Sequence, residues 1–265
     1  NNHIHRIKMY MVIFLCFKKE SAQKAALWDK RYKKQDATAL HNQTPDERLV
    51  TLPYPIRNML DIGCGTGDIV HAWAKKKVHA TGLDISKNVI SLAKRNTPAP
   101  LSPYCNWFID DWDTLDPKAY QWEHSFDLVY SCMGPDFSKE DNFKKLNLLS
   151  RKYIRLLLFK TGSNSLLETL RNELQIVNSE PSSCAFFNIC KMLKEAHYNP
   201  EIRDISYEAD YTQSVTQWLD YIDAAYTGNG NADKQNIEKY LLSVAVHGNI
   251  SSVTRADYSM ITWEV

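Results

Sequence analysis

The chain has 265 residues, of which 44% are hydrophobic and 24% are charged, ordinary values for a globular α/β protein with a large core. Its formal net charge is only +1, which argues against a broad nucleic-acid-binding surface. The six cysteines are scattered without C-x-x-C spacing, which disfavours a zinc or redox motif and favours a reducing compartment. We therefore expect a cytoplasmic protein without a metal site.

Residues 1–20 form a distinct N-terminal extension. Residues 1–8 are polar and basic, and residues 9–17 form a short apolar run. This run is too short to cross a bilayer as a helix, and no small-residue cleavage site follows it. We expect an additional element that docks on the domain, and no membrane span.

The next part of the chain predicts helices and then a regular alternation of strands and helices. An amphipathic helix is predicted over residues 21–34 and a second, short helix over 45–52, before two prolines. Short buried runs then alternate with helical patterns, which predicts a parallel sheet covered on both faces. The predicted strands are 58–62, 78–84, 105–109, 126–131 and 153–160, and the predicted helices among them are 68–76, 87–95 and 138–149.

The remainder of the chain is predicted to be mostly helical. Helical patterns cover 165–176, 185–196, 215–226 and 233–246, strands are predicted at 201–207 and 259–265, and a glycine- and asparagine-rich loop lies at 227–231. We expect residues 21–265 to form a single domain. Its core would cover about 56–160, and a helical cap with the last strands would cover about 161–265.

The run from Asn58 to Gly67 carries the strongest functional signal. Asp61 lies near the end of the first predicted strand, and Gly63, Gly65 and Gly67 follow at alternating positions. Glycines allow a sharp turn and a close approach of a ligand to the backbone, at the strand end where doubly wound sheets bind ligands. The spacing is G-x-G-x-G, which differs from the G-x-G-x-x-G of dinucleotide sites.

This run resembles motif I of the class I S-adenosylmethionine-dependent methyltransferases, D-x-G-x-G-x-G, and matches it at Asp61 and the three glycines. The resemblance implies an α/β, Rossmann-like fold: a doubly wound, seven-stranded, mostly parallel sheet with N-terminal helices and a helical cap after strand 5. Strand 7 would insert antiparallel between strands 5 and 6. The resemblance also implies S-adenosylmethionine as cofactor and S-adenosylhomocysteine as product, with the loop that includes Cys64 and Thr66 beside the cofactor.

Acidic residues end the next two predicted strands. Asp84, followed by Ile85, ends the second strand, where a carboxylate accepts hydrogen bonds from ribose hydroxyls. Nicotinamide enzymes use the same position, so Asp84 alone does not identify the cofactor. After the third strand the family resemblance implies an adenine-binding acid, for which we favour Asp111 with Trp112 and keep Asp110 as the alternative.

The segment after the fourth strand, 131–137, lies between cofactor and substrate in this family. The resemblance places Ser131 and Met133 beside the path of the methyl group, Cys132 on the substrate side, and Asp136 as a candidate general base. Methylases that act on nucleic-acid bases often carry Asp/Asn-Pro-Pro-Tyr/Phe here, whereas this chain has Gly-Pro-Asp-Phe at 134–137. This difference argues against a base methylase.

Trp28 and Tyr32 lie four residues apart on one face of the first helix. An N-terminal helix closes over the cofactor in many methyltransferases, so these aromatic rings either contact the sulfonium or substrate or simply pack on the core. The function predicted from the sequence is methyl transfer to an unidentified small molecule, with an unknown oligomeric state. The alternatives are aminopropyl or carboxypropyl transfer, a non-catalytic cofactor-binding interaction protein and, last, a nucleic-acid methylase.

Overall fold

The structure, a computed structural model, describes residues 21–33, 51–174, 184–226 and 234–265. These residues fall into two compact units. Among the described residues, the first unit comprises 21–33, 51–158, 184–204 and 259–265, and the second comprises 159–174, 205–226 and 234–258. The predicted extension 1–20, nearly all of the predicted helix 45–52, and the loop 227–231 lie outside the described residues. The division into domains made from the sequence stays a prediction.

The elements of the first half of the chain lie where the sequence predicts them, with small shifts at their ends. The strands are β1 (Asn58–Ile62), β2 (His79–Asp84), β3 (Cys105–Ile109), β4 (Phe126–Cys132), β5 (Ser150–Asn164), β6 (Glu201–Ser214) and β7 (Asn249–Glu264). The helices are α1 (Ser21–Lys33), α2 (Asp68–Lys75), α3 (Lys87–Asn96), α4 (Glu140–Leu149), α5 (Ser165–Leu174), α6 (Cys184–Glu195), α7 (Val215–Tyr226) and α8 (Lys234–Val244). Within the described ranges, none of these helices combines the length and the apolar character that crossing a membrane requires.

The seven strands form one sheet in the order β3-β2-β1-β4-β5-β7-β6, which confirms the predicted position of the last strand between β5 and β6. Strands β1 to β5 pair in parallel. The hydrogen bonds between β5 and β7 join Lys152 to Val265 and Arg155 to Thr262, so residue numbers rise along β5 while they fall along β7. This pairing is antiparallel, as the sequence predicted.

The central strands β1 and β4 are buried on both faces, as a parallel sheet between helices requires. On one face Leu60 and Ile62 of β1 join the main apolar cluster, which includes Leu146 of α4 and Ile189 of α6. The alternate positions of β1 point to the opposite face because side chains alternate along a strand. The parallel pairing brings the carboxyl ends of β1, β2, β3 and β4 to one edge, and all the predicted site residues of the sheet lie at this edge.

The second unit contains long strand segments as well as helices, whereas the sequence predicted helices almost alone. Three strands are longer than predicted: β5 extends to Asn164, β6 extends to Ser214, and β7 begins already at Asn249. In β7 the inward positions include Ser252 and Thr254, whose polar side chains obscure the apolar alternation typical of a strand. They are paired nonetheless, since both accept hydrogen bonds from the buried amide of Asn164.

Candidate functional site

The three glycines after β1 all adopt the left-handed conformation that L-residues with a side chain rarely adopt. Their φ angles are 74° at Gly63, 55° at Gly65 and 89° at Gly67. The loop is fixed to the neighbouring strand because the N–H groups of Gly63 and Cys64 donate to the carbonyl of Leu83, at 2.8 and 3.0 Å. The sequence therefore builds a tight turn at the end of β1, with glycine at alternating positions and hydrogen bonds to the end of β2.

A tryptophan that sequence reasoning missed explains why two glycines are needed near this loop. A Cβ atom on Gly67 would lie 2.3 Å from the ring of Trp107, and one on Gly82 would lie 2.7 Å from the same ring. Trp107 of β3 thus packs directly on the backbone of β2 and on the start of α2. No motif in the sequence signals this contact.

Asp84 connects the glycine loop to the start of α3. One carboxylate oxygen, Oδ2, accepts the N–H of Gly65 at 3.0 Å, and Oδ1 accepts the N–H of Ser86 at 2.9 Å. Burial raises the pKa of Asp84, and these backbone hydrogen bonds partly oppose the shift. Each carboxylate oxygen has a second lone pair, so Asp84 can still accept hydrogen bonds from a ligand. Ile85, beside it, is half-buried.

Asp61 is a buried acid that lacks a complete set of partners. Its side chain is almost inaccessible, and Oδ1 accepts no hydrogen bond from the part of the chain that the structure describes. Burial, with the nearby carboxylates of Asp84 and Asp68, raises the pKa of Asp61 well above its usual range. Such an oxygen calls for a hydrogen-bond donor or a cation from a ligand.

Hydrogen bonding distinguishes the two adjacent acids after β3. Asp110 uses both carboxylate oxygens within the protein, since Oδ1 accepts the N–H of Asp111 at 2.7 Å and Oδ2 accepts the hydroxyl of Tyr120 at 2.7 Å. Asp111 accepts the N–H of Asp113 on Oδ1 at 3.0 Å. Its Oδ2 is buried and has no hydrogen-bond partner among the described residues. Asp111 is therefore the acid with an acceptor to spare.

The loop after β3 is held from behind by a lysine of α4. Trp112 is buried and its ring meets that of Phe137 edge to face, with centroids 5.5 Å apart. The ammonium group of Lys145 lies 4.9 Å from the centroid of the Trp112 ring and donates to the Trp112 carbonyl at 2.6 Å. Burial lowers the pKa of Lys145 even though several aspartates lie nearby. The backbone around Trp112 is thus fixed in place.

The end of β4 packs tightly on the end of β1. The hydroxyl of Ser131 donates to the carbonyl of Ile62 at 2.6 Å. A Cβ atom on Gly134 would lie 2.1 Å from the Ser131 oxygen and 2.7 Å from the Ile62 carbonyl. Met133, between them in sequence, has a φ of 59°, a rare conformation for a residue with a side chain. The loop therefore follows a strained path against the glycine turn.

Asp136, the candidate base, lies in the loop between β4 and helix α4. Its Oδ1 accepts the N–H of Ser138 at 2.9 Å and the hydroxyl of Ser138 at 2.6 Å. Cys132, the last residue of β4, is half-buried. The catalytic role of Asp136 and the substrate-side role of Cys132 stay predictions.

Helix α1 contacts the segment that follows β2 and the loop that follows β3. Trp28 packs on Val89 and Leu92 of α3, and the side chain of Tyr32 lies outside the described residues. The polar contacts of α1 were missed by sequence reasoning, which considered only its aromatic residues. Lys24 forms an ion pair with Asp113 at 2.6 Å, and Asp29 accepts the hydroxyl of Ser86 at 2.6 Å.

The residues at this edge fit S-adenosylmethionine. The buried carboxylate oxygens of Asp61 and Asp111 that lack partners require donors, and the cofactor carries an ammonium group and an exocyclic amine. Asp84 retains acceptor capacity for hydroxyls, and the glycine turn leaves its backbone open to a ligand.

Comparisons with known proteins agree with this arrangement. Residues 59–151 match the family model described as a methyltransferase domain. No curated protein matches the chain. Among solved structures, a methyltransferase of Bacillus halodurans, described as putative, is similar with a TM-score of 0.50 and 14% identity, over 82% of this chain and 96% of that one. This likeness shows a shared fold.

A second similar structure is the magnesium protoporphyrin IX methyltransferase of Synechocystis, solved with bound S-adenosylhomocysteine. It has a TM-score of 0.46 and 13% identity, over 89% of this chain and 85% of that one. The family match covers β1 to the start of β5, the part of the sheet that presents the glycine turn and the three acids. This match, together with motif I and the strand order, supports an S-adenosylmethionine-dependent methyltransferase.

Proposed function

We propose that this enzyme transfers the methyl group of S-adenosylmethionine to a small-molecule acceptor. The observation that carries the proposal is a pair of buried carboxylate oxygens with no hydrogen-bond partner among the described residues, on Asp61 near the end of β1 and on Asp111 after β3. The near-neutral charge and the Gly-Pro-Asp-Phe sequence after β4 support a small acceptor over a nucleic-acid base.

Each acid at the sheet edge has a proposed role that follows from its hydrogen bonding. Asp61 accepts a hydrogen bond from the ammonium group of the cofactor, since its Oδ1 is buried and has no partner among the described residues. Asp84, which is followed by Ile85, accepts hydrogen bonds from the ribose hydroxyls with its remaining lone pairs. Asp111 accepts a hydrogen bond from the exocyclic amine of adenine, and the backbone N–H of Trp112 donates to a ring nitrogen of adenine.

The glycine loop completes the proposed cofactor site. Gly63, Gly65 and Gly67 leave the backbone open, so N–H groups of the loop and of the start of α2 can donate to the cofactor. Cys64 and Thr66 between them are both buried. Burial also raises the pKa of the Cys64 thiol well above its usual range, so we assign it a packing role.

The chemistry demands little from the protein beyond alignment. S-adenosylmethionine supplies a methyl group on a sulfonium, which is already a good leaving group. The protein has to hold the acceptor in line with the methyl group and exclude water. In our proposal Ser131 and Met133 line the path between the methyl group and the acceptor. Asp136, through Oδ2, accepts a proton where the acceptor is a neutral amine or hydroxyl.

Calorimetry with S-adenosylhomocysteine tests the cofactor assignment. Replacing Asp61 by Asn removes the negative charge at nearly constant size, and we expect affinity to fall by about tenfold or more, since a hydrogen bond to a charged group contributes about 1.5–3 kcal/mol. The matched control is Asp116→Asn at an exposed acid near Asp111, which should bind normally. Equal affinities of wild type and Asp61→Asn would contradict the assignment.

Radiolabelled cofactor tests the acceptor class. The enzyme is incubated with methyl-labelled S-adenosylmethionine and, in parallel, with cofactor labelled in its amino-acid tail, together with a cell extract separated by size. We expect methyl label, and no tail label, in the small-molecule fraction. Tail label in the product would show aminopropyl or carboxypropyl transfer, and methyl label confined to nucleic acid or protein would refute a small acceptor.

A further inference from the structure

We infer that Asn142 is a positioning residue that couples the adenine side of the cofactor site to the acceptor side. This inference rests on the function proposed above. Asn142 lies in the first turn of α4, is nearly inaccessible to solvent, and matches no motif in the sequence. Its side-chain amide contacts two loops, one after β3 and one after β4.

The two hydrogens of the Asn142 amide are divided between these loops. Nδ2 donates to Oδ1 of Asp113 at 3.1 Å and to the backbone carbonyl of Asp136 at 2.8 Å. A side-chain NH₂ group has two hydrogens, so both of its donors are used. Loss of the buried Asn142 amide would remove one hydrogen bond from each acceptor, the Asp113 carboxylate and the Asp136 carbonyl.

On the adenine side, Asp113 connects Asn142 to the proposed adenine acceptor. The N–H of Asp113 donates to Oδ1 of Asp111 at 3.0 Å, and the other oxygen of Asp111 is the one without a partner. Burial acts to raise the pKa of Asp113, but the hydrogen bonds from Lys24 and Asn142 outweigh it and lower that pKa. Asp113 therefore stays charged and holds both loop and helix.

On the acceptor side, the carbonyl that Asn142 holds belongs to the candidate base. Asp136 follows the strained Met133 and the tightly packed Gly134, and the hydrogen bond from Asn142 connects its backbone to helix α4. The path from Asp111 through Asp113 and Asn142 to Asp136 is a continuous series of hydrogen bonds between the two halves of the site. Adenine that donates its exocyclic amine to Asp111 would thus act on the loop that carries Asp136.

Hydrogen–deuterium exchange of the full chain, with and without S-adenosylhomocysteine, tests this coupling. We expect the ligand to slow exchange in residues 61–68 and in residues 136–139 of the wild type. In Asn142→Leu and in Asn142→Asp, which keeps the size but removes the donors, protection at 61–68 should remain. Protection at 136–139 should be lost, and affinity should fall by about fivefold or more, the lower range of energetic coupling between sites.

The matched control is Asn147→Leu on the same helix. The amide of Asn147 donates to the carbonyl of Phe143, and its oxygen accepts the indole N–H of Trp263, so it touches neither loop. This variant should keep ligand-dependent protection at 136–139. Wild-type protection at 136–139 that persists in both Asn142 variants, or that is also lost in Asn147→Leu, would overturn the inference.

The proposed function and the inference fail in different ways. A wild type that binds no S-adenosylhomocysteine would refute both. A wild type that binds the ligand without any protection at 136–139 would refute the coupling alone. Circular dichroism of each variant identifies loss of folding, and in that case Asn142→Asp, the more conservative change, decides the outcome.

Discussion

The carboxylate of Asp84 accepts the backbone N–H of Gly65 at 3.0 Å, so the residue proposed to hold the ribose also holds the glycine turn. The end of β2 and the turn after β1 therefore form one unit. A change at Asp84 should affect the cofactor site in two ways, by removing a ligand contact and by releasing Gly65.

We expect Asp84→Asn to weaken binding of S-adenosylhomocysteine by about tenfold or more, since hydrogen bonds to a charged group contribute about 1.5–3 kcal/mol. Asp84 accepts hydrogen bonds from two backbone N–H groups, and the amide of Asn would place an NH₂ group, which cannot accept, against one of them. Titration calorimetry measures the affinity, and exchange of the Gly65 amide measures the release of the turn. Unchanged affinity would show that the ribose assignment is wrong.

Asp61→Asn should stabilise the enzyme without ligand. The folded-state pKa of Asp61 is raised above its unfolded value, so its unfavourable ionisation in the folded protein develops as pH rises above about 4. The variant should therefore melt at a higher temperature than wild type at pH 8, and the difference should shrink toward pH 4. Calorimetric scans across this range check the sign, and a variant that is less stable at pH 8 would contradict it.

Asp111 should discriminate adenine from its deaminated form. Wild type should prefer S-adenosylhomocysteine over S-inosylhomocysteine, because the carboxylate accepts from an amine and repels a carbonyl oxygen. Asp111→Asn offers both a donor and an acceptor, so the preference should fall about tenfold, in line with the loss of about one hydrogen bond.

Asp110→Asn is the control for that experiment, since both oxygens of Asp110 are already engaged with Asp111 and Tyr120. It should keep the preference for adenine. Loss of the preference in Asp110→Asn but not in Asp111→Asn would reverse the assignment of the two acids.

Gly134→Ala should destabilise the first unit through a steric clash. Its Cβ would meet the Ser131 oxygen and the Ile62 carbonyl, and overpacking of this kind costs about 1–3 kcal/mol. The cost should be smaller in a Ser131→Ala background, where one of the clashing atoms is absent. Urea unfolding of the four proteins in this cycle gives the coupling energy, and strictly additive effects would contradict the proposed clash.

Asp127 lies near the start of β4, and its hydrogen bonds make the stability of the fold depend on pH. Although burial alone would raise its pKa, hydrogen bonds from Arg151 and from the N–H groups of Arg57 and Asn58 lower it to about 2. Because the folded-state pKa lies below the unfolded value, the stabilisation is complete above about pH 4 and is lost as pH falls through about 2.

Asp127→Asn should therefore lower the free energy of unfolding by about 1–3 kcal/mol at pH 7, the usual cost of losing a hydrogen bond to a charged group. The difference in the free energy of unfolding between Asp127→Asn and wild type should narrow as the pH falls from 4 to 2. Urea unfolding at each pH measures this difference, with Glu140→Gln, at a solvent-exposed position of α4, as the control. A constant gap would show that ionisation of Asp127 does not contribute.

The residues that local sequence could identify were those whose role depends on their immediate neighbours. Asp61 and Gly63 could be proposed because a strand, a turn and a helix follow one another over a short stretch of sequence. The first five strands were found because their side chains are apolar over short runs. The long segment of β7 was missed because Ser252 and Thr254, which face inward, are polar.

Local sequence alone therefore determined the fold class, the cofactor and the ends of the strands that hold it, since backbone turns and apolar periodicity are properties of short segments. Only the tertiary structure decided which acids keep an unpaired oxygen and which residues support them. Asp110 and Asp111 are equivalent in the sequence and differ only in their partners. Lys24, Asn142 and Lys145 reach the loop after β3 from distant parts of the chain, and only folding determines which buried polar groups are paired.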